Sequence, residues 1–419
     1  MDEITYSKFR WYIFFTMIIV TATTSMALIG PASVMSKLFG AMPGVDPGQV
    51  VWVTMGIFNF FLGIAALLGG YLLDKLGPIK VFIGGLILIM IGSFLMPIIG
   101  HTYIGMLIIR LLQGFGTGPV MAASIPVAAS YFPENERSIA TGAQGFAVSL
   151  GIIIGLQVFP RIATASGDVF GALRILSYVC VIGIALSIIA FFGPKMSEAP
   201  VKAEEGGLDD TSWNLFWKAL ANPMTWIAIL CFTLMSGIFQ QLNSIVEPYI
   251  SSAIDAVPAG LGRTEGNVGA NTLTFAIAFF CIGSFIGGFV TEKIFGGKVR
   301  PVIAIGFLLG AFGAFSTKLD FITANQSVLT VVFVVTAFFY SMVNPQTQSY
   351  IAKNYPKEIG GKLGGLAMSV GIVIGSTVAV WWLGKSLAAT GNYMQPITIM
   401  AGLCFAGFIL SLFLKNRPN

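Results

Sequence analysis

Two ionisable side chains sit inside long apolar stretches, and they are where chemistry is to be sought first. Arg110 lies in Arg110-Leu111-Leu112-Gln113-Gly114, and Glu247 immediately precedes Pro248. A charge held in hydrocarbon costs about 2.5–3.5 kcal/mol on insertion scales, so such residues pair, face a wet path or bind something. For Arg110 two readings stand together: a functional site, and pairing with a backbone carbonyl or a neighbouring helix. Around Glu247 the residues Gln240, Gln241, Asn243 and Ser244 are unusually polar for such a stretch. Pro248 cannot donate to the carbonyl one turn before it, which opens a polar notch. An acid there can exchange protons; the other reading is a solvated carboxylate at the outer helix end.

A third polar group surrounds Pro345, with Tyr340, Ser341, Asn344, Gln346, Thr347 and Gln348. Amides and hydroxyls on one helix can hydrogen-bond a small solute from several directions, while the aromatic ring walls it. Thr21, Thr23, Thr24 and Ser25 form an earlier cluster, followed by Trp52, Thr54 and Asn59. Each hydroxyl can equally bond its own helix.

Other chemistries lack their residues. The one histidine, His101, falls in a short connection, and Cys180, Cys231, Cys281 and Cys404 each occupy a different apolar stretch. They carry no metal-ligand or disulfide spacing. Neither HExxH nor GxxxxGK[ST] is present, so no metal, no cofactor and no nucleotide is expected, and the chain reads as a non-enzyme.

These residues must be positioned by membrane helices. The 419 residues are 56% hydrophobic and 10% charged, with mean hydropathy +0.85. Ordinary soluble chains carry about 25% charged residues. The apolar stretches are each about 20 residues, the length of a membrane-spanning helix. Expected spans are 11–37, 49–73, 80–99, 103–131, 139–160, 171–193, 223–250, 271–291, 300–317, 327–351, 363–387 and 395–414, an all-α membrane protein with 12 transmembrane helices. The polar start and long first stretch predict a retained helix rather than a cleaved signal. Lysines and arginines gather on the side of the termini, as at Lys8, Arg10, Lys75, Lys80, Lys293, Lys298 and Lys353; the other side holds Lys37, Arg161, Arg174, Arg263, Lys318 and Lys385. The positive-inside rule then makes both termini cytoplasmic, in a cell inner membrane. The net charge of +5 follows this topology and is not a nucleic-acid signal.

The chain also repeats itself. Gly69-Gly70-Tyr71-Leu72-Leu73-Asp74-Lys75 returns as Gly287-Gly288-Phe289-Val290-Thr291-Glu292-Lys293, and Ser149-Leu150-Gly151-Ile152-Ile153-Ile154-Gly155 as Ser369-Val370-Gly371-Ile372-Val373-Ile374-Gly375. Gly30-Pro31 matches Glu247-Pro248, and Gly118-Pro119 matches Asn344-Pro345. This predicts two six-helix pseudo-symmetric halves, 1–193 and 223–419, joined by a cytoplasmic linker at 194–222. Such halves suit alternating access around a site between them. Within the linker, Trp213-Asn214-Leu215-Phe216-Trp217-Lys218 predicts a short surface helix.

The loop Gly69 to Lys80, with Asp74, Lys75 and the tight Gly77-Pro78 turn, resembles the signature between the second and third helices of the major facilitator superfamily. Arg110, Gln113 and Gly114 are similar to its fourth-helix motif. The resemblance implies that Gly70, Asp74, Lys75 and Gly77, with Glu292 and Lys293 in the second half, gate the inward ends. It implies that Arg110 faces the interior, and that the first, fourth, seventh and tenth helices line a cavity. Tyr131-Phe132-Pro133-Glu134-x-x-Arg137 followed by Ala140-Thr141-Gly142 is similar to the monocarboxylate and oxalate/formate branches. Gly142, Gly151 and Gly155 partly resemble the fifth-helix motif of drug exporters, with Leu156 in place of its proline.

The expected function is secondary active transport of a small polar solute by proton symport or solute exchange. Arg110 favours an organic anion such as a monocarboxylate; the amide walls suit a neutral polyol or amino acid. Solute contacts fall to Arg110, Gln113, Gln240, Gln241, Asn243, Tyr340, Asn344 and Gln348, and proton coupling to Glu247 with Arg110. The expected partners are a small-molecule substrate, protons and membrane lipid, with the chain acting as a monomer and without nucleic acid. The alternative is a proton-coupled multidrug-type exporter of amphipathic compounds, with walls of Phe and Met. A third reading, a membrane sensor that binds without flux, is opposed by the retained loop and the full repeat.

Overall fold

In the computed structural model, residues 8–123, 127, 131–132, 137–193, 210–355 and 357–415 are described. Among them, twelve helices are long and apolar enough to cross a membrane. They are α1 Arg10–Ile29, α2 Pro47–Gly69, α3 Pro78–Ile99, α4 Tyr103–Met121, α5 Gly145–Ser166, α6 Val169–Phe192, α7 Pro223–Ser251, α8 Glu265–Thr291, α9 Val299–Ser316, α10 Gln326–Ile351, α11 Leu366–Thr390 and α12 Met394–Leu412. This is the expected number in the expected order.

Their surfaces are inverted relative to a soluble protein. On α3, Ile87, Ile91, Phe94 and Ile98 are exposed at helical spacing, while Gly85, Gly92 and Ser93 are buried on the other face. Large apolar groups belong outside when the solvent is lipid, and small residues inside let helices approach. The Gly85 and Gly116 backbones meet so closely that a methyl at either would strike the carbonyl of the other.

The repeated Ser-x-Gly-x-x-x-Gly segments have one physical meaning in both places. Gly151 and Gly155 of α5 lie against Ala22 and Met26 of α1. Gly371 and Gly375 of α11 lie against Phe232 and Thr233 of α7. Each half spends its glycine pair on the same close helix contact.

Several boundaries differ from expectation for local reasons. The first span was expected to run to residue 37, but α1 ends at Ile29. Pro31 follows, and the chain forms a 3-10 turn Pro31–Val34 and a separate helix Met35–Ala41. The fourth span was expected to reach residue 131, but α4 ends at Met121, two residues after Pro119. The fifth was expected over 139–160 and its apolar part runs over Gly145–Ser166. Wide π turns interrupt α2 at Trp52–Gly56 and α11 at Gly371–Ser376, features that the sequence pattern did not signal. The short helix expected around Trp213 is present as Asp210–Leu220.

The chain divides into two compact units. The first is Met1–Ser33, Ala41–Pro43 and Ile57–Gly207; the second is Val34–Gly40, Gly44–Gly56 and Leu208–Asn419. The segment after α1 and the beginning of α2 therefore pack within the second unit. There Gly48 meets Gly384 of α11 backbone to backbone, with no room for a side chain at either.

Candidate functional site

In the first unit Arg110 is 0% exposed. Pro31 lacks an N–H, so the Ala27 carbonyl one turn earlier has no helical donor. Arg110 supplies it: Nη1 donates to Ala27 O at 2.7 Å and to Gln113 Oε1 at 2.7 Å, and Nη2 reaches Leu28 O at 3.4 Å. A cation at the carbonyl end of α1 also suits the helix dipole. The guanidinium lies 4.1 Å from the Phe58 ring centre. Gln113 Nε2 donates onward to Ser93 Oγ at 2.9 Å. Arg110 thus joins α1, α2, α3 and α4. The carbonyl-pairing reading of Arg110 is the one this geometry displays, and Gln113 is its orienting partner.

In the second unit α7 presents a polar stripe. Gln240, Asn243 with Ser244, Glu247 and Ser251 recur at the three- and four-residue spacing of one helix face, and all are buried. Gln241 Nε2 donates to Ala379 O of α11 at 3.3 Å. Four amide atoms have no protein partner although buried: Gln240 Nε2, Gln241 Oε1, and both Nδ2 and Oδ1 of Asn243. Each such group costs about 1–3 kcal/mol. A helix that retains donors and acceptors together in this state is chemically prepared for a group that offers both.

Glu247 is 4% exposed, which removes the solvated helix-end alternative. Its Oε2 accepts the Ser36 N–H at 2.9 Å and its Oε1 accepts the Ser36 hydroxyl at 2.6 Å. Ser251 adds a side-chain bond from the next turn of α7. Lys37 follows Ser36; partial burial pushes its ammonium below the ordinary lysine range, and the attraction of Glu247 offsets part of that. Ser36 was not among the expected site residues. It reads in sequence as the tail of the first span, 211 residues from its partner.

On α10 the Tyr340 hydroxyl donates to the Met235 carbonyl of α7, and its ring packs 5.7 Å from that of Phe280. Pro345 frees the Ser341 carbonyl, and Ser284 Oγ of α8 donates to it at 3.2 Å. Tyr340 therefore braces α7 from the rear of the stripe. Asn344 is half-buried just beyond the break at Met342, and its carbonyl accepts Thr347 Oγ1 at 2.8 Å. Lys75 and Lys293 are exposed at helix ends, and Gly77 adopts φ +78°, a left-handed conformation that glycine takes without strain. Of Gly70, Asp74, Glu292 and Gln348 only the helical backbone is described. The Tyr131 to Thr141 motif lies partly outside the described residues, and of Gly142 only the helical backbone is described. Among the described residues no cluster of acid, histidine and cysteine groups could hold a metal.

Twelve lipid-adapted helices with polar groups unpartnered in their interior define a multi-pass membrane protein of the transporter class. The model of the Major Facilitator Superfamily matches residues 13–260 and 243–419, so the chain belongs to that family. The quinolone resistance protein NorA of Staphylococcus aureus is 25% identical, with 83% of each chain covered. The probable galactarate/D-glucarate transporter GudP of Bacillus subtilis is 25% identical over 98% of this chain and 92% of its own. Among solved structures, a bacterial homolog to the human lysosomal transporter Spinster, inward-facing and unoccupied, gives a TM-score of 0.79 at 14% identity, covering 99% of this chain and all of the other. The D-xylose-proton symporter gives 0.68 at 18% identity, covering 97% of each. The last two speak for the fold.

Proposed function

We propose that the protein is a secondary active transporter of a small, hydroxyl-rich organic anion, working by proton symport or solute exchange through alternating access of its two halves, 1–193 and 223–419. The observation that carries this reading is the set of four unpartnered amide atoms on α7, within the two turns before Glu247. A hydroxyl both donates and accepts, so a polyhydroxylated solute satisfies Asn243 at both atoms and Gln240 and Gln241 at one each. The likeness to GudP over nearly the whole chain supports a sugar-acid type of solute. Asn344 and Gln348 are the contacts proposed from α10, while Tyr340 holds α7 in place through the Met235 carbonyl.

In this reading Glu247 is the proton site. Arg110 contributes through α1, whose last carbonyls it holds, rather than as a free anion receptor. Gly70, Asp74, Lys75 and Gly77, with Glu292 and Lys293, gate the other ends of the helices. The protein works as a monomer in the cell inner membrane, both termini cytoplasmic.

The likeness to NorA favours a second reading, proton-coupled export of amphipathic compounds. Sealed proteoliposomes holding a pH-sensitive dye separate the two. Hydroxylated acids, monocarboxylates, polyols and amphipathic cations are added outside in turn, with wild type and Glu247→Gln. Proton entry with a hydroxylated acid, abolished in Glu247→Gln, is expected; proton exchange with amphipathic cations alone establishes the export reading instead.

A further inference from the structure

Glu247 meets two donors from a single residue, an arrangement that the transport reading does not require. The Ser36 N–H points at Oε2 and the Ser36 hydroxyl at Oε1, so both carboxylate oxygens are held from outside α7. The N–H is an obligate donor. The hydroxyl is not: it donates to a carboxylate and, by turning, accepts from a carboxylic acid. When a proton arrives on Oε1, Oε1–H donates to Ser36 Oγ while Oε2 goes on accepting the N–H. Both protonation states therefore fit the same heavy-atom positions, and what changes is charge assistance, which makes bonds to the anion about twice as strong.

We infer that Ser36 is the positioning residue that sets the pH at which Glu247 exchanges its proton. This rests on the reading of Glu247 as the proton site. The other groups that face the carboxylate are Lys37 on the same short helix, whose charge acts in the same direction, and Tyr393 just before α12. Burial pushes the Tyr393 phenol up, so it stays neutral and does not compete. Ser251 comes from α7 itself, and Gly269 of α8 lies against the Glu247 backbone. Ser36 and Ser251 both donate to the anion without adding a charge, and Ser36 is the one that meets both carboxylate oxygens, from outside α7.

The test titrates the full-length protein in liposomes by infrared spectroscopy, following the carbonyl stretch of protonated carboxyl groups. The band lost in Glu247→Gln belongs to Glu247. Ser36→Ala should move the midpoint of that band to higher pH by about one unit, the size of shift that one hydrogen bond to an anion supports. Ser36→Thr, which keeps the hydroxyl, should restore the wild-type midpoint, and Lys37→Met should shift it in the same direction as Ser36→Ala. If no band disappears in Glu247→Gln, the proton-site reading fails and this inference with it. If the band is present but Ser36→Ala and Ser36→Thr both leave its midpoint in place, the role of Ser36 alone is overturned.

Discussion

Asn243 separates a site residue from a packing residue more sharply than any other position. Both its amide atoms are buried without a partner, so the folded chain carries a cost that an apolar side chain of the same size would not. Asn243→Leu should therefore raise stability, by about 1–2 kcal/mol, and abolish transport of the hydroxylated acid. Thermal unfolding and solute flux on the same preparation check this, and a destabilised variant would show that the amide has a structural partner. Arg110 carries the opposite expectation. Arg110→Ala leaves the Ala27 carbonyl and the Gln113 amide unserved, and should cost about 2–4 kcal/mol in unfolding experiments. Lys37 reports on Glu247 from outside the spans. The carboxylate raises the lysine's proton affinity, so Glu247→Gln should increase the neutral fraction of Lys37 at a given pH, read as faster acylation of that amine by mass spectrometry.

At the scale of elements, much of the structure could be read in advance and some could not, for identifiable reasons. Twelve spans follow from length and hydropathy because lipid demands them of any crossing segment. The burial of Arg110 was also legible, since its neighbours are apolar; its partners Ala27 and Leu28 were not, because carbonyls look alike in every sequence. The end of α1 was hidden. Met35 and Leu38 continue the apolar pattern, and only the missing donor of Pro31 interrupts it. Ser36 was lost with that boundary. The glycine contacts were visible as composition but not as pairings. One of them bears testing: the start of α2 seats on α11 through Gly48 and Gly384. Gly48→Val cannot seat there. Hydrogen exchange of peptides covering 44–56 should then rise by about tenfold or more, while peptides of α3 and α4 in the first unit keep their protection.

For the whole molecule the question is which kind of solute is moved by a chain equally identical to the quinolone resistance protein NorA and to the probable galactarate/D-glucarate transporter GudP. Identity is 25% in both cases, so it decides nothing. The proposed reading rests instead on the interior. A pocket for varied amphipathic compounds works by adaptable apolar packing, and unpartnered amides penalise every ligand that cannot bond them. A site that hydrogen-bonds a solute hydroxyl rejects the analogue without it by about 10⁴-fold when all its groups are engaged. The discriminating series therefore keeps the carboxylate and removes hydroxyls one at a time, from an aldaric acid through an aldonic acid to an unsubstituted monocarboxylate. Competition against uptake of the best member should fall at each step, with the largest single loss where Asn243 is bypassed. In Asn243→Leu the steps should flatten. A flat series in the wild type, with competition from amphipathic cations, would establish the export reading, and the amides of α7 would then be serving water rather than solute.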